Sequence, residues 1–290
     1  HGSGGDRTNV GAGAGGKLTL TGRITNTGGG ALTKVGDGTV ALTDANTAYT
    51  GATTIKEGTL RAEDGKALGD GSVKIEEGGT LEIATTELKL GSSAKITIVG
   101  NDTTPGQNSV GGTLSGAAAP PGAAGFEAKY QGELELAKHG SGGDRTNVGA
   151  GAGGKLILTG PIKEKDAGLK LTKVGDGTVV LGNAGNAYGG ETTIGAGTLE
   201  TSVAGALPKG RAVTVEKNAV LDLKGFNQSI GTLKGKGSVD LGGGTLTVPD
   251  GDFAGQFVGT TAGHLDKTSG ARLILRNSNT LGSTTIQAGT

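Results

Sequence analysis

The chain has 290 residues, of which 62 are glycine, four phenylalanine and three tyrosine, and it contains no cysteine, methionine or tryptophan. The lack of cysteine excludes disulfides, thiolate metal sites and thiol nucleophiles. Lysine plus arginine equals aspartate plus glutamate, 27 each, so no net charge attracts nucleic acid or an anionic membrane. The apolar residues are mostly small or β-branched, which favours strands packed in layers.

The chain opens with a glycine-rich stretch that occurs twice. Residues 1–18, HGSGGDRTNVGAGAGGKL, return letter for letter at 139–156. Gly, Asn and Asp dominate the stretch, which predicts a loop. The duplication divides the chain into two super-repeats, 1–138 and 139–263, and a third partial copy, 264–290. Because the sequence contains no methionine, we expect the translated protein to be longer.

A second motif follows the glycine-rich stretch. It reads LTKVGDGTVALTDANTAYTGATTIKEGTL at 32–60, returns at 171–199 and returns again, more altered, at 265–290. Each copy carries an asparagine in a turn, and we expect its side chain to satisfy the backbone there. These asparagines are Asn46, Asn186 and Asn279.

The spacing of apolar residues predicts the fold. Val40, Leu60 and Leu81 lie 20 and 21 residues apart, so that each turn of the chain returns to the same place. Apolar and polar residues alternate around these positions, as in strands. We therefore predict an all-β chain, a right-handed parallel β-helix (β-solenoid) of about 20 residues per rung and roughly 13 or 14 rungs, continuous over 1–290. The further columns are Ile55, Ile75 and Ile96, and Val179, Leu199, Leu221 and Leu241.

Residues 101–126 interrupt the periodicity. Pro105, Pro120 and Pro121 cannot donate to a strand ladder, and the alanine and glycine run between them offers little to pack. We expect a loop excursion that leaves the β-helix. Helical signals are nearly absent, and the best of them is the short stretch at 127–138.

Two glycine-rich patterns resemble chemical motifs without completing them. GAGAGGKL matches the core of a phosphate-binding loop, but Leu18 and Leu156 stand where a hydroxyl would bind Mg²⁺. HGSGGD brings His139, Ser141 and Asp144 close together in sequence, yet adjacent loop positions rarely orient a triad. The same three residue types stand at His1, Ser3 and Asp6.

Paired acids are the remaining candidates for catalysis. General acid/base work needs carboxylates that converge across a cleft, whereas these pairs are expected at turns and rung edges. The sequence therefore predicts no catalytic, cofactor-binding or metal-ligating residue, no cofactor and no enzyme. The pairs are Glu76 and Glu77, Glu133 and Glu135, and Asp250 and Asp252.

The repeated motif also carries a family resemblance. Its first copy resembles the passenger-associated (autotransporter-associated β-strand) repeat of bacterial autotransporter passengers, with the pattern LTKxGxGTLxLxGxNTYTGGTTIxxGTL. The third copy has lost the first glycine pair and the tyrosine. The first copy matches at Leu32, Lys34, Gly36, Gly38, Thr39, Asn46, Thr47, Tyr49, Thr50, Gly51, Thr53, Thr54, Ile55, Gly58, Thr59 and Leu60. The second matches at Leu171, Lys173, Gly175, Gly177, Asn186, Tyr188, Thr192, Thr193, Ile194 and Gly197.

This resemblance implies a role outside the cell. It implies a stalk or scaffold for adhesion or biofilm, exported through the periplasm to the surface of a Gram-negative outer membrane or released from it. The membrane would be reached only through a barrel that this chain does not contain. We expect self-association, end to end into filaments or laterally, and a host-cell or matrix ligand as partners. The alternative is a β-helical carbohydrate-active enzyme, a polysaccharide lyase or hydrolase, which the scarcity of aromatic sugar platforms disfavours.

Overall fold

The structure, a computed structural model, describes residues 7–26, 29–101, 111–140, 143–259 and 263–289. Every regular element within these ranges is a strand, and no helix long and apolar enough to cross a membrane occurs there. The first sixteen strands are β1 Arg7–Gly11, β2 Lys17–Leu20, β3 Ala31–Val35, β4 Thr39–Leu42, β5 Thr53–Ile55, β6 Gly58–Ala62, β7 Val73–Ile75, β8 Gly79–Ile83, β9 Glu87–Leu88, β10 Ile96–Val99, β11 Thr113–Gly116, β12 Phe126–Tyr130, β13 Leu134–Ala137, β14 Arg145–Ala150, β15 Gly154–Leu158 and β16 Ile162–Glu164. The remaining strands are β17 Lys170–Val174, β18 Thr178–Leu181, β19 Thr192–Ile194, β20 Thr198–Thr201, β21 Val213–Val215, β22 Val220–Asp222, β23 Gln228–Ser229, β24 Thr232–Gly235, β25 Ser238–Asp240, β26 Thr245–Val248, β27 Asp250–Phe253, β28 Gln256–Val258, β29 His264–Lys267, β30 Leu273–Leu275 and β31 Ser283–Ile286.

These strands form four parallel sheets in which non-consecutive strands are neighbours. Such an order means that the chain leaves each sheet and returns to it one turn later. The result is the predicted β-solenoid, with about 12 turns of roughly 22 residues. The sheets have seven strands (β1, β3, β5, β7, β10, β13, β16), twelve (β2, β4, β6, β8, β11, β14, β17, β19, β21, β24, β27, β30), eight (β9, β12, β15, β18, β20, β22, β25, β28) and four (β23, β26, β29, β31).

The seven-stranded and four-stranded sheets lie along one side of the coil. Between them, hydrogen bonds continue the line from turn to turn without regular strands. The Ala187 N–H donates to the Ile162 carbonyl at 2.8 Å, and the Leu207 N–H donates to Gln228 Oε1 at 3.1 Å. The solenoid therefore has three sides, and on parts of two of them loops replace strands.

Five of the seven consecutive pairs in the predicted columns are confirmed, and two are shifted by two residues. Val40 pairs with Leu60 and Leu60 with Leu81, as predicted. Ile75, however, pairs with Ile98 rather than Ile96, and Leu221 pairs with Val239 rather than Leu241. In a strand, residues two apart point to the same side, so spacing alone cannot decide which of them is the partner.

The expected loop at 101–126 is wrong in its middle part. Strand β11 lies inside it, between β8 and β14, and its Leu114 is fully buried and pairs with both Leu81 and Val148. Residues 102–110, including Pro105, lie outside the described residues. Among the described residues of the predicted loop, the exposed excursion runs over 118–125, around Pro120 and Pro121.

This inserted strand also explains the number of turns. From Leu81 to Leu114, and from Leu114 to Val148, the chain travels more than 30 residues before it returns to the sheet. The expected 13 or 14 rungs assumed a constant length near 20 residues. The longer turns reduce the number to about 12. The stretch at 127–138, which carries the best of the weak helical signals, forms most of strands β12 and β13.

The two long motif copies do not occupy the same sides of the solenoid. In the copy at 32–60, β3 belongs to the seven-stranded sheet and β4 to the twelve-stranded sheet. In the copy at 171–199, β17 belongs to the twelve-stranded sheet and β18 to the eight-stranded sheet. The second copy is therefore displaced by one side around the coil. Its loop at 182–191 follows a different side from the loop at 43–52.

Substitution of Leu114 tests whether β11 is part of the core. We expect Leu114→Ala to destabilise the protein by about 2–5 kcal/mol, because a buried leucine leaves both lost burial and a cavity. Leu18→Ala is the matched control, since Leu18 is 36% exposed. Urea unfolding followed by circular dichroism measures both variants. Equal midpoints for the two variants would show that 111–117 does not enter the core.

Candidate functional site

The repeated motif places a lysine inside the solenoid. Lys34 lies in the inward-facing column between Val10 and Ile55 and is fully buried. Alternation dictates this position, because Leu32 faces inward and Lys34 stands two residues later. The other copies repeat the arrangement: Lys173 lies between Val148 and Ile194, and Lys267 between Val248 and Ile286.

Each buried ammonium group is held by backbone carbonyls of two successive turns. Lys34 Nζ donates to the carbonyls of Val35 at 3.0 Å and Gly36 at 2.5 Å, and to Glu57 one turn later at 3.0 Å. An ammonium has three donors and no acceptor, so three carbonyls satisfy it completely. In the second copy Lys173 Nζ donates to Val174 at 3.1 Å, Gly175 at 2.6 Å and Ala196 at 2.8 Å. In the third, Lys267 Nζ donates to the carbonyls of Ser269 and Ala288.

Burial opposes the charge on these lysines. It lowers the pKa of Lys173 to about 8, against the attraction of the Asp176 carboxylate. Burial also lowers the pKa of Lys34, where the carboxylates of Glu57 and Asp37 act in the opposite direction. A buried amine is desolvated, which disfavours its charged form. The carbonyl cradle compensates by giving the ammonium the hydrogen bonds it loses in leaving water.

The turn asparagines bind three successive turns together, which confirms their expected role. Asn46 Oδ1 accepts a hydrogen bond from the Ile24 N–H of the preceding turn at 2.6 Å. Its Nδ2 donates to the Ala67 carbonyl of the following turn at 2.5 Å. Asn186 does the same, between the Ile162 N–H at 2.9 Å and the Ala206 carbonyl at 2.9 Å.

The third asparagine keeps half of this geometry. Asn279 Oδ1 accepts from the Phe257 N–H at 2.9 Å, while its Nδ2 donates to Asn277 within its own turn. Gln228 makes equivalent contacts elsewhere in the coil. Its Oε1 accepts from the Leu207 N–H, and its Nε2 donates to the Val203 carbonyl, both in the preceding turn. The longer amide spans the same gap between turns without belonging to a recognisable motif.

The glycine pair of the motif lets the turns approach each other. A Cβ atom on Gly38 would lie 2.2 Å from the Gly13 carbonyl oxygen of the preceding turn, and on Gly177 2.2 Å from the Gly151 oxygen. No side chain fits at that distance. Glycine at this position therefore lets the turns of these two copies stack at strand spacing.

The motif tyrosine joins its loop to a neighbouring strand of the same motif copy. Tyr49 is buried, and its hydroxyl accepts from the Leu32 N–H and donates to the Ala52 carbonyl, both at 2.8 Å. In the second copy the Tyr188 hydroxyl lies 2.7 Å from Thr192 Oγ1. Burial raises the pKa of the Tyr188 hydroxyl, so it stays neutral.

The prediction that the repeated glycine-rich segment is a loop is wrong for 145–156, because alternating residues there pair with neighbouring turns and form a strand, a turn and a strand. Residues 149–150 end β14, and Leu156 is a fully buried residue of β15. Lys155 pairs with Glu200 at 3.0 Å. A phosphate-binding loop requires a helix after the glycines, and this segment leads into a strand instead.

The HGSGGD segment does not assemble a triad among its described residues. His139 Nδ1 lies 2.9 Å from Glu77, whereas Asp144 pairs with Lys170 at 2.8 Å. Ser141, like His1, Ser3 and Asp6, lies outside the described residues. The histidine and the aspartate thus have separate partners.

Most of the paired acids bind lysine, arginine or histidine side chains on the outside of the solenoid. No group of three or more histidine, aspartate or glutamate side chains that could hold a metal occurs in the part of the chain that the structure describes. Arg276 binds Asp252 and holds its pKa below the ordinary value. The other pairs are Glu76 with Lys74, Glu77 with His139, Glu133 with Lys163 and Glu135 with Lys95.

Lys34 and Lys173 match the repeat pattern in the sequence, but the sequence analysis assigned no role to either of them. The signal was available, because strand alternation from Leu32 or Leu171 places the lysine on the inward side. A charged residue there must find partners. The glycine turn beside it, with its free carbonyls, supplies them.

Parallel strands stacked turn on turn, and joined by buried lysine and asparagine side chains, define a repeat-built β-solenoid. Residues 32–62, 171–200 and 265–290 match the family model described as the passenger-associated-transport repeat. The chain therefore carries the repeats of autotransporter passengers, as the resemblance of the motif indicated.

One curated relative is similar along nearly the whole chain. It is the "Adhesin BmaC autotransporter" of Brucella suis biovar 1 (strain 1330), 30% identical over 356 residues that include 96% of this chain and 10% of the relative. The chain thus spans about a tenth of the length of that protein. No solved structure matches it.

Replacement of a motif lysine tests the carbonyl cradle. We expect Lys173→Met to lower the free energy of unfolding by about 1–3 kcal/mol, because buried carbonyls lose their donor. Lys209→Met is the matched control at an exposed position. Thermal unfolding of the parent and the two variants measures the effect. If the Lys173→Met variant were as stable as the parent, the cradle would contribute nothing to the stability of the coil.

The pH dependence of stability, compared between the parent and the Lys173→Met variant, gives a second test. An unfolded lysine has a pKa of 10.5, and burial lowers that of Lys173 to about 8. Between these two pKa values the unfolded chain binds more protons than the folded chain does. Raising the pH over that range therefore increases the free energy of unfolding. The parent should therefore gain stability relative to the Lys173→Met variant as the pH rises from 8 to 10.5. A relative loss over that range would contradict the lowered pKa.

Proposed function

We propose that the chain is a structural β-solenoid of an autotransporter-like adhesin that acts as a stalk or scaffold at the cell surface or after secretion. One observation carries this proposal. In each of the three motif copies, a buried lysine and a turn asparagine form hydrogen bonds that join successive turns. Such a device makes a long coil regular without providing chemistry. The adhesin named among the relatives supports the same role.

The outer surface supports a scaffold rather than a reaction site. Its charges are paired between turns, for example Arg61 with Glu82 of the next turn at 2.7 Å and Lys155 with Glu200 two turns later at 3.0 Å. Exposed pairs of this kind add little stability, at most about 1 kcal/mol each. They do make the surface polar while leaving it without a large net charge, which suits a spacer.

The carbohydrate-active enzyme remains the alternative, and no observation among the described residues favours it. The acids form ion pairs with basic side chains along the outside of the coil, whereas a lyase needs them converging in a cleft. The tyrosines that could stack on a sugar ring are Tyr49, Tyr130 and Tyr188, and all three are buried.

The contact surface for a ligand belongs, in this proposal, to the loops that replace strands. The loops at 43–52 and 182–191 expose Thr47, Thr50 and Ala187 on two different sides. A host-cell or matrix ligand and adhesion within a biofilm are proposed for such loops. End-to-end association into filaments is proposed for the solenoid edges, where strand backbones can pair with further strands.

Deletion of one turn tests the scaffold role. Because Leu32 pairs with Thr53 and Thr53 with Val73, removal of 53–72 brings Val73 onto Leu32 in register. In a surface-displayed protein, we expect this variant to keep protease resistance and adhesion to host cells. Removal of 53–62 breaks the register and should lose both.

Two results would overturn the proposal. One is loss of adhesion in the in-register variant while its protease resistance is unchanged, which would assign a specific site to that turn. The other is release of unsaturated oligosaccharides from uronate polymers by the purified chain, which would favour the enzyme.

A further inference from the structure

A groove crosses the outer face of the seven-stranded sheet. Its volume is about 760 Å³, and residues of β5, β7, β10 and β13 form its floor. One residue of each strand points outward in register, and the four form a row: Thr54, Lys74, Thr97 and Glu135. At ~4.8 Å between neighbouring strands the row is roughly 14 Å long. A row of this length can contact an extended ligand rather than a single ion.

The segments that follow β13 and β16 complete the lining. The Lys138 N–H donates to Asp166 Oδ2 at 2.9 Å, which joins the two segments. His139 reaches back toward the end of β7, where its Nδ1 lies 2.9 Å from a Glu77 carboxylate oxygen. The segment after β13 is thus held by contacts that do not use the Lys138 or Lys165 ammonium. Both lysines are exposed, and no acidic side chain among the described residues forms an ion pair with either of them.

Basic side chains outnumber acidic ones in this lining. The Glu135 carboxylate is compensated, because Lys95 binds it and the Thr97 hydroxyl donates to it at 3.2 Å. Lys74 binds Glu76 at 3.0 Å in an exposed ion pair. The groove therefore offers its uncompensated charge mostly as ammonium groups. The titratable side chains that line it are those of Lys74, Lys138, Lys165, His139, Glu135 and Asp166.

These groups suit an anionic polysaccharide. A lysine ammonium acts as a compact point charge for carboxylate or sulfate groups, and the hydroxyls of Thr54 and Ser72 can donate to and accept from sugar hydroxyls. An acidic peptide fits less well, because the four floor strands are paired on both sides and offer no free edge for strand addition. Single-stranded nucleic acid stacks its bases on aromatic side chains, and none is among the described residues that line the groove.

We propose that this groove binds an anionic polysaccharide, whose carboxylate or sulfate groups contact Lys138 and Lys165 and whose hydroxyls contact the floor row. Such binding adds a ligand site to the chain and does not depend on the stalk role. The second motif copy supplies a control position. Its threonine corresponding to Thr54 is Thr193, which lies on the twelve-stranded sheet with Thr172 and Thr214 as register partners.

Calorimetry of the full chain with hyaluronate, chondroitin sulfate and neutral dextran is the first test. We expect binding of an anionic polymer and none of dextran. Replacing both Lys138 and Lys165 by Gln should weaken binding roughly five- to thirtyfold, because two exposed ion pairs are lost. The matched control replaces Lys209 and Lys217 by Gln, which removes the same charge from exposed positions elsewhere and should leave binding unchanged.

The three polymers and the two double variants give distinct outcomes. Binding of hyaluronate assigns recognition to carboxylate groups, and binding of chondroitin sulfate alone shows that sulfate is required. Either result, together with weakening by the groove variant only, supports the site. Binding of neither anionic polymer would overturn it. Equal weakening by both double variants would also overturn it, because attraction would then come from overall charge.

A new charge on the floor gives a test that does not involve the lysines. Thr54→Glu should weaken binding roughly threefold or more, because its carboxylate would repel the anionic ligand. Thr193→Glu should leave binding unchanged, although both threonines are half-buried and stand at the same motif position. Circular dichroism checks that both variants are folded. Full binding by a folded Thr54→Glu variant would exclude the groove while leaving the stalk role, which the turn deletion tests, unaffected.

Discussion

The arrangement of this solenoid depends on one constraint, which is that the backbone carbonyls of its tight turns must be satisfied inside a coil that has little room for water. Strand ladders satisfy the straight parts. At the turn beside Gly36 the carbonyls point inward, and the ammonium of Lys34 binds those of residues 35, 36 and 57. A lysine buried alone would be unstable, and buried carbonyls without a donor would be as well. Together they are stable, and the contact joins two turns.

The asparagine contributes the same kind of link at the other bend of the motif. Its amide has both a donor and an acceptor, so that one side chain can bind the turn before and the turn after. Asn46 and Asn186 use both ends, and Asn279 uses only its acceptor toward a neighbouring turn. Lysine, asparagine and the glycine that permits close stacking thus form one unit. This explains why the first two copies keep all three residues while their loop residues differ; the third copy keeps the lysine and the asparagine.

Much of the fold follows from sequence, and the parts that do not follow have a physical reason. The period of the columns through Val40 predicted the parallel coil, because only a coil returns a side chain to the same place. The partner of Ile75 could not be chosen, since Ile96 and Ile98 both face inward. Strand β11 was missed because Leu114 is its one large apolar residue, among glycines, serine and threonine. In a solenoid the neighbouring turns supply the rest of the hydrophobic contact.

The direction in which a repeat faces is set by strands per turn and not by residues per repeat. Between β3 and β17 the chain makes five returns to the seven-stranded sheet and then one further step to the next sheet. From β17 to β29 it makes four returns to the twelve-stranded sheet. Two further steps then lead through the eight-stranded sheet to the four-stranded sheet. The first and third motif copies therefore face the same way, and the second is turned by one side. A coil whose repeats differ in this way presents its motif loops on two sides rather than in a single row.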